Sequence, residues 1–208
     1  MSPNKRMRTP NNVFDIDPRG QRKLRLEESY KELSAVLLHN KVPSRVREIF
    51  ETAKNLSLYA CFVHDFHASA CLTGFIALEI SLKEKWRAVY NREPEECQML
   101  AALLAHAVEQ KWIRIESFSW ARSNAAYNAK VNALNALYEK HPSGGFEPPI
   151  VDDAMIDREL ESYGSWLNEW ITAAKDLRNH HAHGIARPDL NQSQGPLIMV
   201  ADAINGMF

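Results

Sequence analysis

Apolar residues recur at intervals of three and four along most of the chain, the spacing of side chains on one face of an α-helix. Strict alternation of apolar and polar residues, which would indicate strands, never extends beyond a few positions. The pattern therefore predicts an all-α fold, a bundle of five to seven helices. The predicted helices cover residues 24–38, 44–59, 66–86, 97–112, 118–140, 152–184 and 196–208.

The third predicted helix is apolar on nearly every side from Ala68 to Leu82, which is typical of a helix in the middle of a protein. Small residues between Ser69 and Gly74 would let another helix approach closely. Glu79 is the only charged residue in the stretch, and a buried carboxylate needs a partner. Two residues are candidates for an ion pair with Glu79. Lys83 follows it by four residues, and Arg178 could reach it if the last long helix packs against this one.

The last long helix is predicted to start near Asp152 and to end at Gly184, with Pro188 opposing its continuation. His181 continues the apolar series of this helix, so packing is its expected role. The series alternates steps of four and three: Ile156, Leu160, Tyr163, Leu167, Trp170, Ala174 and Leu177.

The chain is predicted to have two parts. Residues 1–18 are polar and without a period, which indicates a flexible basic N-terminal arm. Residues 19–208 are expected to form a single helical domain, in which a Pro- and Gly-rich segment at 141–149 links two helices.

The composition, 45% hydrophobic and 25% charged, is that of an ordinary globular protein. The net charge of −1 means that any contact with nucleic acid has to be local. Three scattered cysteines and a start that lacks an apolar segment favour a reduced, cytoplasmic protein without a membrane span.

The chemistry of the chain concentrates in "DLRNHHAHGI", residues 176–185. Histidine can exchange a proton near neutral pH, and arginine can hold a phosphate with two parallel hydrogen bonds. With Asn179 to orient a group, Arg178 and His183 could cleave RNA without a metal. Cleavage of this kind needs both an acid and a base, which a second copy of the chain would complete. The structural alternative is that Arg178 and His183 only complement the dipole at a helix end, and His180 is expected to be solvated.

Metal binding is a further alternative, because the cluster at 180–183 and the pair His64 and His67 are rich in imidazoles. Neither stretch has the ligand spacing of a known zinc motif. The prediction is that the chain has no metal site.

Residues Arg178, Asn179 and His183 resemble, in order and spacing, the motif of the HEPN superfamily (higher eukaryotes and prokaryotes nucleotide-binding domain). The upstream stretch "ACLTGFIALEISLK" resembles the core helix that precedes this motif in the family. The resemblance covers roughly residues 50–185. It implies a HEPN-like bundle in which residues 91–149 are an additional helical pair inserted between core helices.

Many HEPN proteins are metal-independent endoribonucleases of bacterial toxin–antitoxin or phage-defence systems, and they act as homodimers. The resemblance thus implies RNA as substrate, no cofactor, and an antitoxin or regulatory protein as a further partner. Arg178, Asn179 and His183 are then the catalytic residues, and His180, His181 and Glu79 are auxiliary or RNA-binding. The alternative is a non-catalytic HEPN module that binds a nucleotide or a protein partner.

Overall fold

The computed structural model describes residues 8–18, 26–94, 99–142, 145, 147–182 and 193–208, and only the backbone of residue 181. Within these ranges it contains eight α-helices, a short 3₁₀-helix and no strand, so the all-α prediction is confirmed. In chain order the helices are α1 (Leu26–Ala35), α2 (Ser44–Tyr59), α3 (Phe66–Tyr90), α4 (Leu100–Glu109), the 3₁₀-helix Ile115–Ser117, α5 (Ser119–Lys140), α6 (Asp153–Ser162), α7 (Trp166–Ala182) and α8 (Gln194–Met207).

The segment predicted as one helix over residues 152–184 is two helices, α6 and α7. At the end of α6, the amides of Tyr163 and Gly164 bond to carbonyls three residues earlier, which tightens the last turn. Gly164 also has a low helix propensity. The apolar spacing did not indicate this break because Leu160, Tyr163 and Leu167 keep helical intervals across it. The described ranges therefore hold eight α-helices where five to seven were expected.

The chain divides into two compact units. The first consists of Met1–Ser81 and Leu177–Ala201, and the second of Leu82–Asp176 and Asp202–Phe208. Each unit thus combines segments that are far apart in sequence. The residues around Glu79 and Arg178 belong to the first unit.

In the first unit, α8 approaches α3 closely at Gly74. A β-carbon added to Gly74 would lie 2.7 Å from Cδ2 of Leu197, which is itself fully buried. The glycine thus leaves the space that the leucine side chain fills. The close approach expected at the small residues of α3 is confirmed here.

The described part of the N-terminal arm, residues 8–18, contacts the rest of the first unit through Asp17. This residue is 5% exposed, and its amide donates to the carbonyl of Cys61 over 3.0 Å. Its carboxylate accepts the amide of His64 over 3.2 Å and lies 3.8 Å from the guanidinium of Arg8. The carboxylate therefore has polar partners where it is withdrawn from water.

In the second unit, polar side chains join α5 to α6. Arg122, near the start of α5, forms an ion pair of 2.6 Å with Asp153 at the start of α6. Asn132, near the middle of α5, donates to Glu159 over 2.8 Å. These two contacts, ten residues apart on α5, hold α6 against one side of that helix.

Long-range polar contacts join the segment 202–208 to the rest of the second unit. The carboxylate of Asp202 accepts the amide and the hydroxyl of Ser119 at 2.8 and 2.9 Å, which caps the first turn of α5. The ammonium of Lys85 also donates to the carbonyl of Met207. The start of α5 thus depends on a side chain 83 positions later.

The longest helix is α3, with 25 residues, and it contains the apolar stretch discussed above. Glu79 interrupts that stretch, and further charged residues follow it from Lys83 onward. Over the part of the chain that the structure describes, no helix is both long and apolar enough to cross a membrane.

Candidate functional site

Arg178 lies one turn before the end of α7, on the helix face that carries the buried residues. It follows the buried Ala174 by four residues, a spacing that puts both side chains on the same face, and it is half-buried. Leu177 is 37% exposed, although the sequence pattern had placed it on the packed stripe. The buried Ile171 lies seven residues before Arg178, which places Arg178 on the same face of the helix.

The guanidinium of Arg178 faces Glu79 on α3, which is the inter-helix partner considered from the sequence. Nη2 of Arg178 lies 4.0 Å from Oε2 of Glu79, and the two side chains are 40% and 25% exposed. Ion pairs with this much solvent contribute only about 0–1 kcal/mol to stability. The contact therefore matters for the direction of the guanidinium more than for the free energy of folding.

Asn179 is the nearest polar neighbour of Arg178 along α7. Its Oδ1 accepts from Nη1 of Arg178 over 3.5 Å, a long hydrogen bond, and the residue is half-buried. Adjacent residues on a helix point about 100° apart, so the amide lies to one side of the guanidinium. Arg178 is thus held by a carboxylate from α3 and an amide from its own helix, while two fifths of its side chain remains exposed.

Exposed apolar side chains flank the Glu79–Arg178 pair within the first unit. Ile76 lies one turn before Glu79 on α3 and is 42% exposed, and Leu177 directly precedes Arg178. An isolated exposed aliphatic residue is ordinary. Here two such residues lie beside the ion pair, so exposed apolar surface adjoins the charged groups.

The histidines of the predicted cluster are only partly described. His180 is exposed, as expected from the sequence. For His181 the structure describes the backbone, which is helical, and not the side chain. His183 lies outside the described residues, so its predicted role stays a prediction.

His64 and His67, considered from the sequence as a chelating pair, lie edge to face with ring centroids 5.3 Å apart. His67 contacts Ser193 through Nδ1 at 2.7 Å, and Ser193 in turn contacts Ser57 at 2.6 Å. Sequence reasoning missed both serines because no local pattern links hydroxyls that are 136 positions apart. Among the described residues, no group of three or more His, Cys, Asp or Glu side chains is placed to hold a metal ion.

The tryptophans lie in the second unit, where they pack mainly on other rings. Trp170 is buried and contacts Phe118 with ring centroids 5.2 Å apart, and Trp166 packs on the same phenylalanine at 4.9 Å. Trp86 is buried too and packs on His106 at 4.4 Å. Trp86 and Trp170 therefore lie in the interior of the unit, packed on other rings.

The chain was compared with models of known protein families, with curated proteins and with solved structures, and none of them matched.

Proposed function

We propose that the protein is a metal-independent endoribonuclease of the HEPN type, with a site built around Arg178. One observation carries the proposal: Arg178 lies 4.0 Å from the carboxylate of Glu79 on one side, while 40% of its side chain remains exposed. An arginine that is oriented by a carboxylate and open on the other side is suited to bind a phosphate. The spacing of Asn179 and His183 after it supports the same chemistry.

In this mechanism the reaction is a transfer within the RNA. A histidine removes the proton of a ribose 2′-hydroxyl, and the oxygen attacks the adjacent phosphorus. The bond from phosphorus to the 5′-oxygen breaks, and this oxygen takes a proton from an acid. The products are a 2′,3′-cyclic phosphate and a 5′-hydroxyl, so no water, metal or cofactor is consumed.

Each residue of the motif has a distinct role in this reaction. Arg178 stabilises the charge that grows on the phosphate oxygens, and Asn179 orients the same group. His183 is the base or the acid. Glu79 positions Arg178, and His180 and His181 are auxiliary contacts to the RNA.

One copy of the motif supplies one His183, whereas the reaction needs an acid and a base. We therefore propose a homodimer in which two Arg178 motifs face a common cleft. The exposed Ile76 and Leu177 beside the pair support this arrangement, because they offer apolar surface where a second copy would approach.

The test is RNA cleavage by the purified full chain in excess EDTA, with Arg178→Ala and His183→Ala beside the wild type. The matched control is Arg122→Ala, which removes an exposed arginine of the second unit. We expect the wild type and the control to release 2′,3′-cyclic phosphate ends and both motif variants to lose cleavage.

Absence of cleavage by a folded wild-type dimer at high enzyme concentration would refute the ribonuclease. The remaining hypothesis would then be the non-catalytic module that binds a nucleotide or a protein partner. Cleavage that EDTA abolishes would instead require a metal, against the proposal.

A further inference from the structure

Ser193 directly precedes α8, and its side chain ties this helix to two others in the first unit. Its hydroxyl lies 2.6 Å from the hydroxyl of Ser57 on α2 and 2.7 Å from Nδ1 of His67 on α3. Ser193 is 0% exposed and Ser57 is 5% exposed. We call Ser57, His64, His67 and Ser193 the histidine clamp.

The clamp holds the first turn of α8 from outside the helix. The backbone carbonyl of Ser193 accepts the amide of Leu197, as at a helix start, but its hydroxyl is directed to Ser57 and His67. A buried hydroxyl needs partners, and here they come from other helices. Fixing the clamp therefore fixes the position at which α8 begins.

The imidazole of His67 lies in surroundings that disfavour its positively charged form. Burial and, to a smaller extent, the nearby His64 lower the pKa of His67 to about 4. His64 is only 7% exposed, and its ring lies edge to face with that of His67. A proton on the His67 ring would thus bring a charge into a contact that is largely closed to water.

On the packed elements, the charged groups that the structure describes near the clamp are paired or exposed. On the arm, the carboxylate of Asp17 is bonded to the His64 amide and lies near Arg8. On α2, Lys54 lies one turn before Ser57, and it adds positive charge that Glu51 balances at 2.9 Å. Asp65, between the two histidines, is exposed to water, which screens its charge.

We propose that the histidine clamp is an acid-sensitive device that holds the start of α8 at neutral pH and releases it when His67 gains a proton. The proposal is independent of the ribonuclease. The pKa of His67 is lower in the folded protein than its ordinary 6.5, so the unfolded or opened chain binds the proton more tightly. The contribution of the clamp is therefore complete above pH 6.5 and is lost as the pH falls toward about 4.

The experiment measures amide hydrogen exchange of residues 194–201 by mass spectrometry between pH 7 and pH 4.5, corrected for the intrinsic pH dependence of exchange. In the wild type we expect the protection of these residues to fall about tenfold or more. His67 of the opened chain gains its proton within this pH range, whereas His67 of the closed protein remains largely neutral, so acid favours opening. His67→Asn keeps a neutral hydrogen-bonding side chain, so its protection should stay nearly constant. His39→Asn, at an exposed histidine of the same unit, should follow the wild type.

The proposal is overturned if the wild type keeps its protection down to pH 4.5, or if His67→Asn loses protection as the wild type does. Should His67→Asn fail to fold, an NMR titration of the wild-type His67 ring decides the question. Titration below about pH 5 supports the clamp, and titration near 6.5 refutes it.

Discussion

Arg178 occupies a position of α7 that the helix geometry would assign to an apolar residue, four residues after the buried Ala174. A long charged side chain at such a place keeps its aliphatic part against the protein and carries its charge to the edge. Glu79 meets the guanidinium there at 4.0 Å. The contact with Glu79 on α3 therefore sets the direction of the charge, which is the requirement for a phosphate-binding arginine.

Replacement of Glu79 tests whether this contact orients Arg178. We expect Glu79→Ala to lower kcat for RNA cleavage about tenfold while KM changes less, because the guanidinium loses its anchor and not its charge. Glu79→Gln, which keeps an oxygen acceptor, should retain more activity. The control Glu32→Ala removes an exposed carboxylate of α1 in the same unit. Wild-type kcat in Glu79→Ala, with Arg178→Ala inactive, would contradict the positioning role.

Cysteine reactivity gives a second test at the level of single residues. Burial raises the pKa of the Cys71 thiol to about 12, from an ordinary value of 9.0, so the folded protein holds it as the unreactive thiol. At pH 8 we expect iodoacetamide to alkylate Cys71 more slowly than the half-buried Cys61, and both to react rapidly in denaturant. Peptide mass spectrometry measures the two rates, and equal rates in the folded protein would be inconsistent with the burial of Cys71.

At the scale of helices, the contact between α3 and α8 depends on a missing side chain. Gly74→Leu places atoms where Leu197 lies, and we expect a loss of about 1–3 kcal/mol in the free energy of unfolding. Gly195→Ala is the matched control, because no atom lies within 4 Å of its added β-carbon. It should leave stability unchanged or raise it by up to about 1 kcal/mol. Urea denaturation, monitored by circular dichroism, measures the stability of both variants. Equal stabilities would show that the structure around Gly74 adjusts to a larger side chain at little cost.

The sequence predicted which segments are helical better than where they end. Helical spacing reflects burial along one face of a helix. It correctly predicted the all-α fold, and the small residues of α3 correctly predicted the close contact at Gly74. The division between α6 and α7 was missed because Tyr163 and Leu167 continue the same spacing through the turn. The apolar spacing shows only which side of a helix is buried. Where one helix ends and the next continues the same spacing, only a residue of low helix propensity, such as Gly164, indicates the end.

Side-chain contacts between residues far apart in the sequence were predictable only where the chemistry of one residue allowed few partners. A lone carboxylate in an apolar helix needs a cation, which limited the partners of Glu79 to a few residues, Arg178 among them. Ser57 and Ser193 could not be paired in the same way, because a serine hydroxyl both donates and accepts and so can bond to almost any polar group. His183, the remaining member of the motif, lies outside the residues that the structure describes.

Assembly of two chains is the prediction that belongs to the whole molecule. If Ile76 lies in the dimer interface, Ile76→Asp should raise the dimer Kd about tenfold or more and reduce RNA cleavage at low protein concentration. High concentration should restore part of the activity. Tyr127→Asp changes an exposed aromatic residue of the second unit and should alter neither quantity. Sedimentation measures the Kd, and an unchanged dimer in Ile76→Asp would exclude this face as the interface.

The cap that Asp202 provides for α5 also bears on the order of folding. Ser119 bonds to a carboxylate 83 positions later, and Lys85 to a carbonyl 122 positions later. Contacts between such distant segments form slowly, because a long loop must close first. During synthesis, α5 therefore leaves the ribosome with an uncapped first turn. The second unit can reach its native state only after residues 202–208 have been made, because they are part of it.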